Sequence, residues 1–152
     1  MGLSYEDFEV GKTYDIGEHT FTREEIIAFA EQFDAQPFHI DDEAAAASPF
    51  GTLIASGWHT CSVLMGMLVR KTLGDSTSMG SPGIDDIRWL KPVRVGDTIR
   101  MKNIVLDKRV SASKPDRGIV STQWAGINQH GETVITVRSK VIFGLRHPAE
   151  TQ

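Results

Sequence analysis

Asp34 and His39 stand five positions apart on either side of Pro37, in the run Phe33-Asp34-Ala35-Gln36-Pro37-Phe38-His39. A carboxylate and an imidazole brought to one point can share a single water, one taking a proton while the other gives one. Pro37 has no N–H to donate and biases Gln36 away from helical dihedrals, so the pair is expected on a tight loop that follows a helix. A loop, unlike a helix face, can turn both side chains to one place. The spacing alone also admits a plainer reading, in which Asp34 ends the helix and caps the loop while His39 is an ordinary surface histidine.

Two helices must hold this segment. The first is announced by Thr22-Arg23-Glu24-Glu25, where Thr22 can cap, Glu25 can close a capping box and Phe21 can staple onto Ile26. It should run to about Gln32, with Ile26, Ile27, Phe29, Ala30 and Phe33 as its buried stripe. The second should start near Ser56 and Gly57 and end near Leu73, with Gly74 as the stop and Arg70 and Lys71 in its last turns. Trp58, Cys61, Val63, Leu64, Met65, Met67, Leu68 and Val69 cover nearly its whole circumference, so it is expected to be surrounded. Between the helices, Asp41, Asp42 and Glu43 read as the N-terminal cap of a short alanine-rich turn.

From Ile84 onward β-branched residues dominate, and four strands are expected: about Ile84 to Pro92, Thr98 to Val110, Gly118 to Asn128 and Glu132 to Phe143. The breaks at Val95-Gly96-Asp97, Ser113 to Gly118 and Gln129-His130-Gly131 suit antiparallel connections. In the last strand Ile135, Val137, Ser139, Val141 and Phe143 alternate with Thr136, Arg138 and Lys140, so one face is buried. A buried helix followed by an antiparallel meander is an α+β arrangement in which the strands can curl around the helix. Residues 1–152 read as a single domain, with residues 146–152 as a loose end.

Composition narrows the function. The chain is 40% apolar and 24% charged, as in soluble globular proteins, and its net charge of -4 argues against nucleic-acid binding. No secretory signal is visible, and the apolar run from Trp58 to Val69 is too short to span a bilayer, so a cytoplasmic protein that does not enter membranes is expected. Cys61 is the only cysteine and falls in the apolar helix, where it reads as a small core residue. His59 could line a pocket but is better read as a hydrogen-bonded structural histidine, while His19, His130 and His147 fall in predicted turn or terminal segments. No metal is expected, because Asp34, His39, Asp41 and Asp42 lack a second spaced histidine or thiolate set. No glycine-rich phosphate loop or dinucleotide fingerprint is present.

The Asp-x-Gln-Pro-x-His element, the acidic alanine-rich turn after it and the entry Ile54-Ala55-Ser56-Gly57-Trp58 together resemble the MaoC-like dehydratase and (R)-specific enoyl-CoA hydratase family. The likeness runs from about Phe29 to Trp58 and resumes at Ile84 to Asp97, through Arg88-Trp89-Leu90-Lys91-Pro92. Gln36 stands where the family has Asn, and Ser56 and Trp58 flank Gly57 where many members have His and Met. The resemblance implies a hotdog fold, an antiparallel sheet wrapped around a long central helix, and a homodimer or higher even oligomer made by pairing sheet edges.

It also implies hydration of a 2-enoyl thioester, or dehydration of a 3-hydroxyacyl one. Asp34 would activate the water, His39 would protonate the alpha carbon and the Gly57 N–H would bind the thioester oxygen. Gln36, Pro37, Phe38, Ser56, Trp58, Arg88 and Lys91 are candidates for the substrate site, Arg88 and Lys91 through phosphates of coenzyme A. No cofactor is expected beyond the coenzyme A carried by the substrate. Two alternatives stay open: an acyl-CoA thioesterase of the same fold, which would not need His39, and a catalytically silent acyl-binding subunit.

Overall fold

In the computed structural model, which describes residues 2–148, five antiparallel strands form one sheet that curls around a single long helix. In chain order the elements are β1 (Thr13–Thr20), α1 (Arg23–Phe33), α2 (Pro37–Ile40), α3 (Asp42–Ala47), α4 (Gly57–Lys71), β2 (Gly83–Trp89), β3 (Thr98–Val110), β4 (Arg117–Ile127) and β5 (Thr133–Gly144). The strand order is β1-β3-β4-β5-β2, so β1 and β2 are the edges. This is the hotdog architecture. Among the described residues no helix is long and apolar enough to cross a membrane.

The helix starts follow from local chemistry. Thr22 and Glu25 form the expected capping box, and Phe21 and Ile26 are fully buried on either side of it. Ser56 caps α4 by accepting from the Trp58 N–H, and Arg70 and Lys71 lie in the last turn, where cations suit the helix dipole. Leu64, Met67 and Leu68 bury one face of α4 against Ile99, Met101, Trp124, Ile135 and Val137 of the sheet. Each fully buried aliphatic side chain stabilises the fold by roughly 2 kcal/mol. At Gly126 in β4 a Cβ would come within 2.7 Å of Ile135 and 3.1 Å of Ile99 on the two flanking strands, so the inner face of the sheet is filled there by its neighbours' side chains.

Several features depart from the sequence reading. The acidic alanine-rich segment is a true short helix, α3, capped by Asp41, whose side chain accepts from the Glu43 N–H. Strand β1 escapes period-two reading because only Ile16 of its eight residues is buried and Gly17 sits at a bulge with φ 121°. His19 therefore lies on a strand, not in a turn. Phe33 is 65% exposed, because α1 ends there and turns that ring away from the core. Nor is α4 surrounded: Trp58, Met65 and Val69 form an apolar face that the chain itself leaves open. Arg146 is tied down, its guanidinium on Asp7 and its N–H donated to Glu6; the expected loose end otherwise lies largely outside the described residues.

Candidate active site

Asp34 is the C-cap of α1, and Pro37 opens the one-turn helix α2 that carries His39. The expected loop is thus a cap followed by a helical turn, since Pro at the first helical position has its φ preset and lacks only an N–H that would be unpaired there anyway. The Gln36 N–H donates to the Asp34 carbonyl at 2.8 Å and the His39 N–H to the Gln36 carbonyl at 2.9 Å, so the two side chains are held by a closed backbone path. His39 Nε2 lies 3.4 Å from Asp34 Oδ2.

His39 is only 4% exposed, which excludes an ordinary surface histidine. Its Nδ1 lies 2.7 Å from the Ile54 carbonyl oxygen, which can only accept, so Nδ1 is assigned the proton and Nε2 is the nitrogen that faces Asp34. Asp34 collects donors on both oxygens: the Gln36 amide at 2.8 Å on Oδ1 and the Ser56 hydroxyl at 2.7 Å on Oδ2. Partial burial pushes its carboxyl up, but Ser56, Gln36 and His39 together carry it below its ordinary value. Asp34 therefore stays ionised beside an imidazole whose other nitrogen is fixed. Such a pair can hold one water and exchange protons with it.

The pair opens into a cavity of about 440 Å³ lined by Asp34, Gln36, Phe38, His39, Gly57, Trp58 and Lys91 among others. Gly57, the first residue of α4, has an N–H with no intrahelical acceptor. It must be glycine, since a Cβ would come within 2.5 Å of the Trp89 indole. The loop that enters α4 is stitched to the far wall through the Ala55 N–H, which donates to Val93 at 2.8 Å, and to α2 through the Ile54 N–H on Phe38.

Three of the expected substrate residues do not line the cavity. Arg88 points into solvent and pairs with Asp86 at 3.0 Å, because alternation along β2 puts it opposite to Ile87, which packs on the core. Ser56 is fully buried beneath the site, where it serves Asp34 and the cap of α4. Pro37 only sets the start of α2. Lys91 does line the cavity, but its ammonium pairs with Glu132. Conversely, the cavity is also walled by Phe50, Trp89, Leu90, Val134 and Ile135. Of these, Trp89 and Leu90 lie inside the family-like segment, which was the one available sign of them.

His59 takes no part in this cavity. It is buried, stacked on Phe29 with ring centroids 4.9 Å apart, and its Nε2 lies 3.3 Å from Glu25. Glu25, which closes the capping box, also meets His19 at 2.8 Å. Burial lowers the His59 pKa, partly offset by Glu25. Cys61 is half-buried; burial pushes its thiol up, partly offset by the Trp89 indole, which leaves it a poor nucleophile.

A curled antiparallel sheet around one helix, with a partly buried carboxylate and a buried imidazole at the helix mouth, defines a hotdog protein with a polar pocket at that point. The chain belongs to the MaoC-like domain family, whose sequence model matches residues 7–125. It is similar to the crystal structure of a MaoC-like dehydratase from Rhodospirillum rubrum, at 40% identity over 96% of this chain and 99% of that one, with a TM-score of 0.86. It is also similar to an (R)-hydratase from A. caviae, at 26% identity over 89% of this chain and 96% of that one, with a TM-score of 0.72. A 3-hydroxybutyryl-CoA dehydratase of Methylorubrum extorquens is 33% identical over 101 residues, 66% of this chain and 62% of the relative. The matched stretch thus spans less than two thirds of that relative's own length.

Proposed function

We propose that the protein hydrates 2-enoyl thioesters of coenzyme A and, in reverse, dehydrates the 3-hydroxyacyl products. The observation that carries this reading is the 3.4 Å approach of His39 Nε2 to Asp34 in a cavity that also contains Gly57. Hydration starts from ionised Asp34 and His39 protonated at Nε2. Asp34 takes a proton from water as its oxygen bonds to the beta carbon, and the electron pair of the double bond moves toward the thioester. The Gly57 N–H, at the positive end of α4, stabilises the enolate-like oxygen while Nε2 gives its proton to the alpha carbon. The two residues then hold the opposite protonation states, and a proton passing from Asp34 to His39 across the short gap restores the start. Coenzyme A enters only as part of the substrate.

The relatives named for dehydration of 3-hydroxybutyryl-CoA and for (R)-hydration support this class of substrate. Asp34→Asn and His39→Gln should each lower hydration of crotonyl-CoA by at least about a hundredfold while circular dichroism stays unchanged. If His39→Gln kept near-normal turnover and released free coenzyme A, the thioesterase of the same fold would replace this reading.

A further inference from the structure

Among the described residues that line the Asp34–His39 cavity, only His39 and Thr60 carry polar side chains that are more than nine-tenths buried. His39 is accounted for by its bond to the Ile54 carbonyl and its approach to Asp34. Thr60 has no such account. It is 2% exposed, and Ile54, Ala55, Val93, Val134 and Ile135, which line the same cavity, are all buried and apolar. A valine would fill the same place on that wall without bringing a polar group.

The hydroxyl also differs from the others of its helix. Ser62 in α4 and Thr72 at its C-cap return their hydroxyls to the carbonyls four residues back, Trp58 at 2.8 Å and Leu68 at 2.9 Å. The Ser56 carbonyl accepts only the N–H of Thr60, at 3.1 Å, and the Thr60 hydroxyl has no hydrogen-bond partner among the described residues. Thr60 stands three residues beyond Gly57, so the two share a face of α4 and lie about 4.5 Å apart along its axis. Burial increases from Gly57 to Thr60, so this is the inward direction. A chain that enters this way with its thioester oxygen at the Gly57 N–H brings roughly its fourth carbon level with Thr60. An apolar chain would strip water from the hydroxyl and give nothing back, which weakens binding by about tenfold or more.

We propose that Thr60 is a specificity-determining residue, and that the site selects short 2-enoyl thioesters carrying a neutral hydrogen-bonding group, a hydroxyl above all, at about the fourth carbon of the acyl chain. The group is neutral because Lys91, the one lysine or arginine among the described lining residues, is half-exposed and paired with Glu132. The inference rests on the hydratase reading for its reaction but not for its binding geometry.

The test compares kcat/KM for crotonyl-CoA and 4-hydroxycrotonyl-CoA in the wild type, Thr60→Val and Thr60→Ser. The wild type should favour the hydroxylated substrate by about tenfold. Thr60→Val should remove that preference and raise kcat/KM for crotonyl-CoA itself, a gain that a merely structural threonine would not give. Thr60→Ser, which keeps the hydroxyl, should keep the preference. In parallel, calorimetry of the same two thioesters on Asp34→Asn, alone and combined with Thr60→Val, should show the same change in relative Kd without turnover. A wild type that hydrates neither thioester, with a binding preference that still follows residue 60, would overturn the hydratase reading and keep the role of Thr60. A wild type that hydrates crotonyl-CoA at least as well as 4-hydroxycrotonyl-CoA, or a ratio unchanged in Thr60→Val, would overturn the role of Thr60 and leave the hydratase reading standing.

Discussion

Ser56 shows how much of a carboxylate's behaviour is set by one neighbour. Its hydroxyl donates to Asp34 Oδ2 and accepts from the Trp58 N–H, so a single oxygen both supports the ionised carboxyl and caps α4. Ser56→Ala removes both. The lost cap should cost about 1 kcal/mol in thermal or chemical unfolding. The lost donor should let the Asp34 pKa rise toward its ordinary value of 3.8, so the acid limb of the kcat profile should move to higher pH. The sign is fixed by linkage: a carboxyl held low in the folded state contributes stability above 3.8 and loses it as pH falls through the folded value, and the variant narrows that gap. An unmoved acid limb would show that Ser56 serves the helix alone. At this scale the sequence suggested the pair and the Gln36 amide, which bonds within its own loop to Asp34, but not the supports that come from elsewhere in the chain. Ser56 is 22 residues from Asp34 and Ile54 is 15 from His39, and no local spacing announces a hydroxyl or a carbonyl that arrives from another element.

Elements carry those residues to one place, and Glu25 is a joint between two of them. It closes the first turn of α1, whose far end is Asp34, and reaches His59 in the first turn of α4, next to Gly57. His59 is buried between Phe21 and Phe29, and burial holds its pKa below the ordinary 6.5 despite Glu25. The unfolded chain therefore binds a proton more readily, so stability is complete above about pH 6.5 and declines as pH falls through the lower folded value. The melting temperature should drop as pH is lowered from 7 toward 5, above the range where carboxylates titrate, and His59→Leu should flatten that decline. A decline of equal slope in His59→Leu would place its origin elsewhere. Element boundaries were legible where local chemistry sets them: the Thr22 capping box and β3 over Thr98–Val110 fall where the sequence puts them. They were not legible where tertiary pairing decides, as in the edge strand β1, whose polar residues pair with β3 without a buried face to mark it.

The whole molecule leaves one surface that a folded chain of this size would not expose to water without a use. Trp58 and Met65 on α4 adjoin Ile84 and Trp89 on β2, all of them more than a third exposed, and β2 is an edge of the sheet with unpaired backbone groups. An edge strand and an apolar helix face side by side are both satisfied by a second copy turned about a two-fold axis, which extends the sheet and covers the helix at once. We expect a homodimer built on this face. It would also bury the outer sides of the Trp58 and Trp89 rings, both of which line the Asp34–His39 cavity. Met65 borders an apolar groove on this face and not the Asp34–His39 cavity, which makes it a clean probe. Met65→Glu should convert the dimer to monomer at micromolar concentration in analytical ultracentrifugation, because assembly on this face would bury an unpaired carboxylate. Turnover of crotonyl-CoA should fall with it, by about tenfold or more, and recover in part as protein concentration is raised. A Met65→Glu protein that stayed dimeric would move the interface to the other edge, β1, and leave the α4 face without a partner.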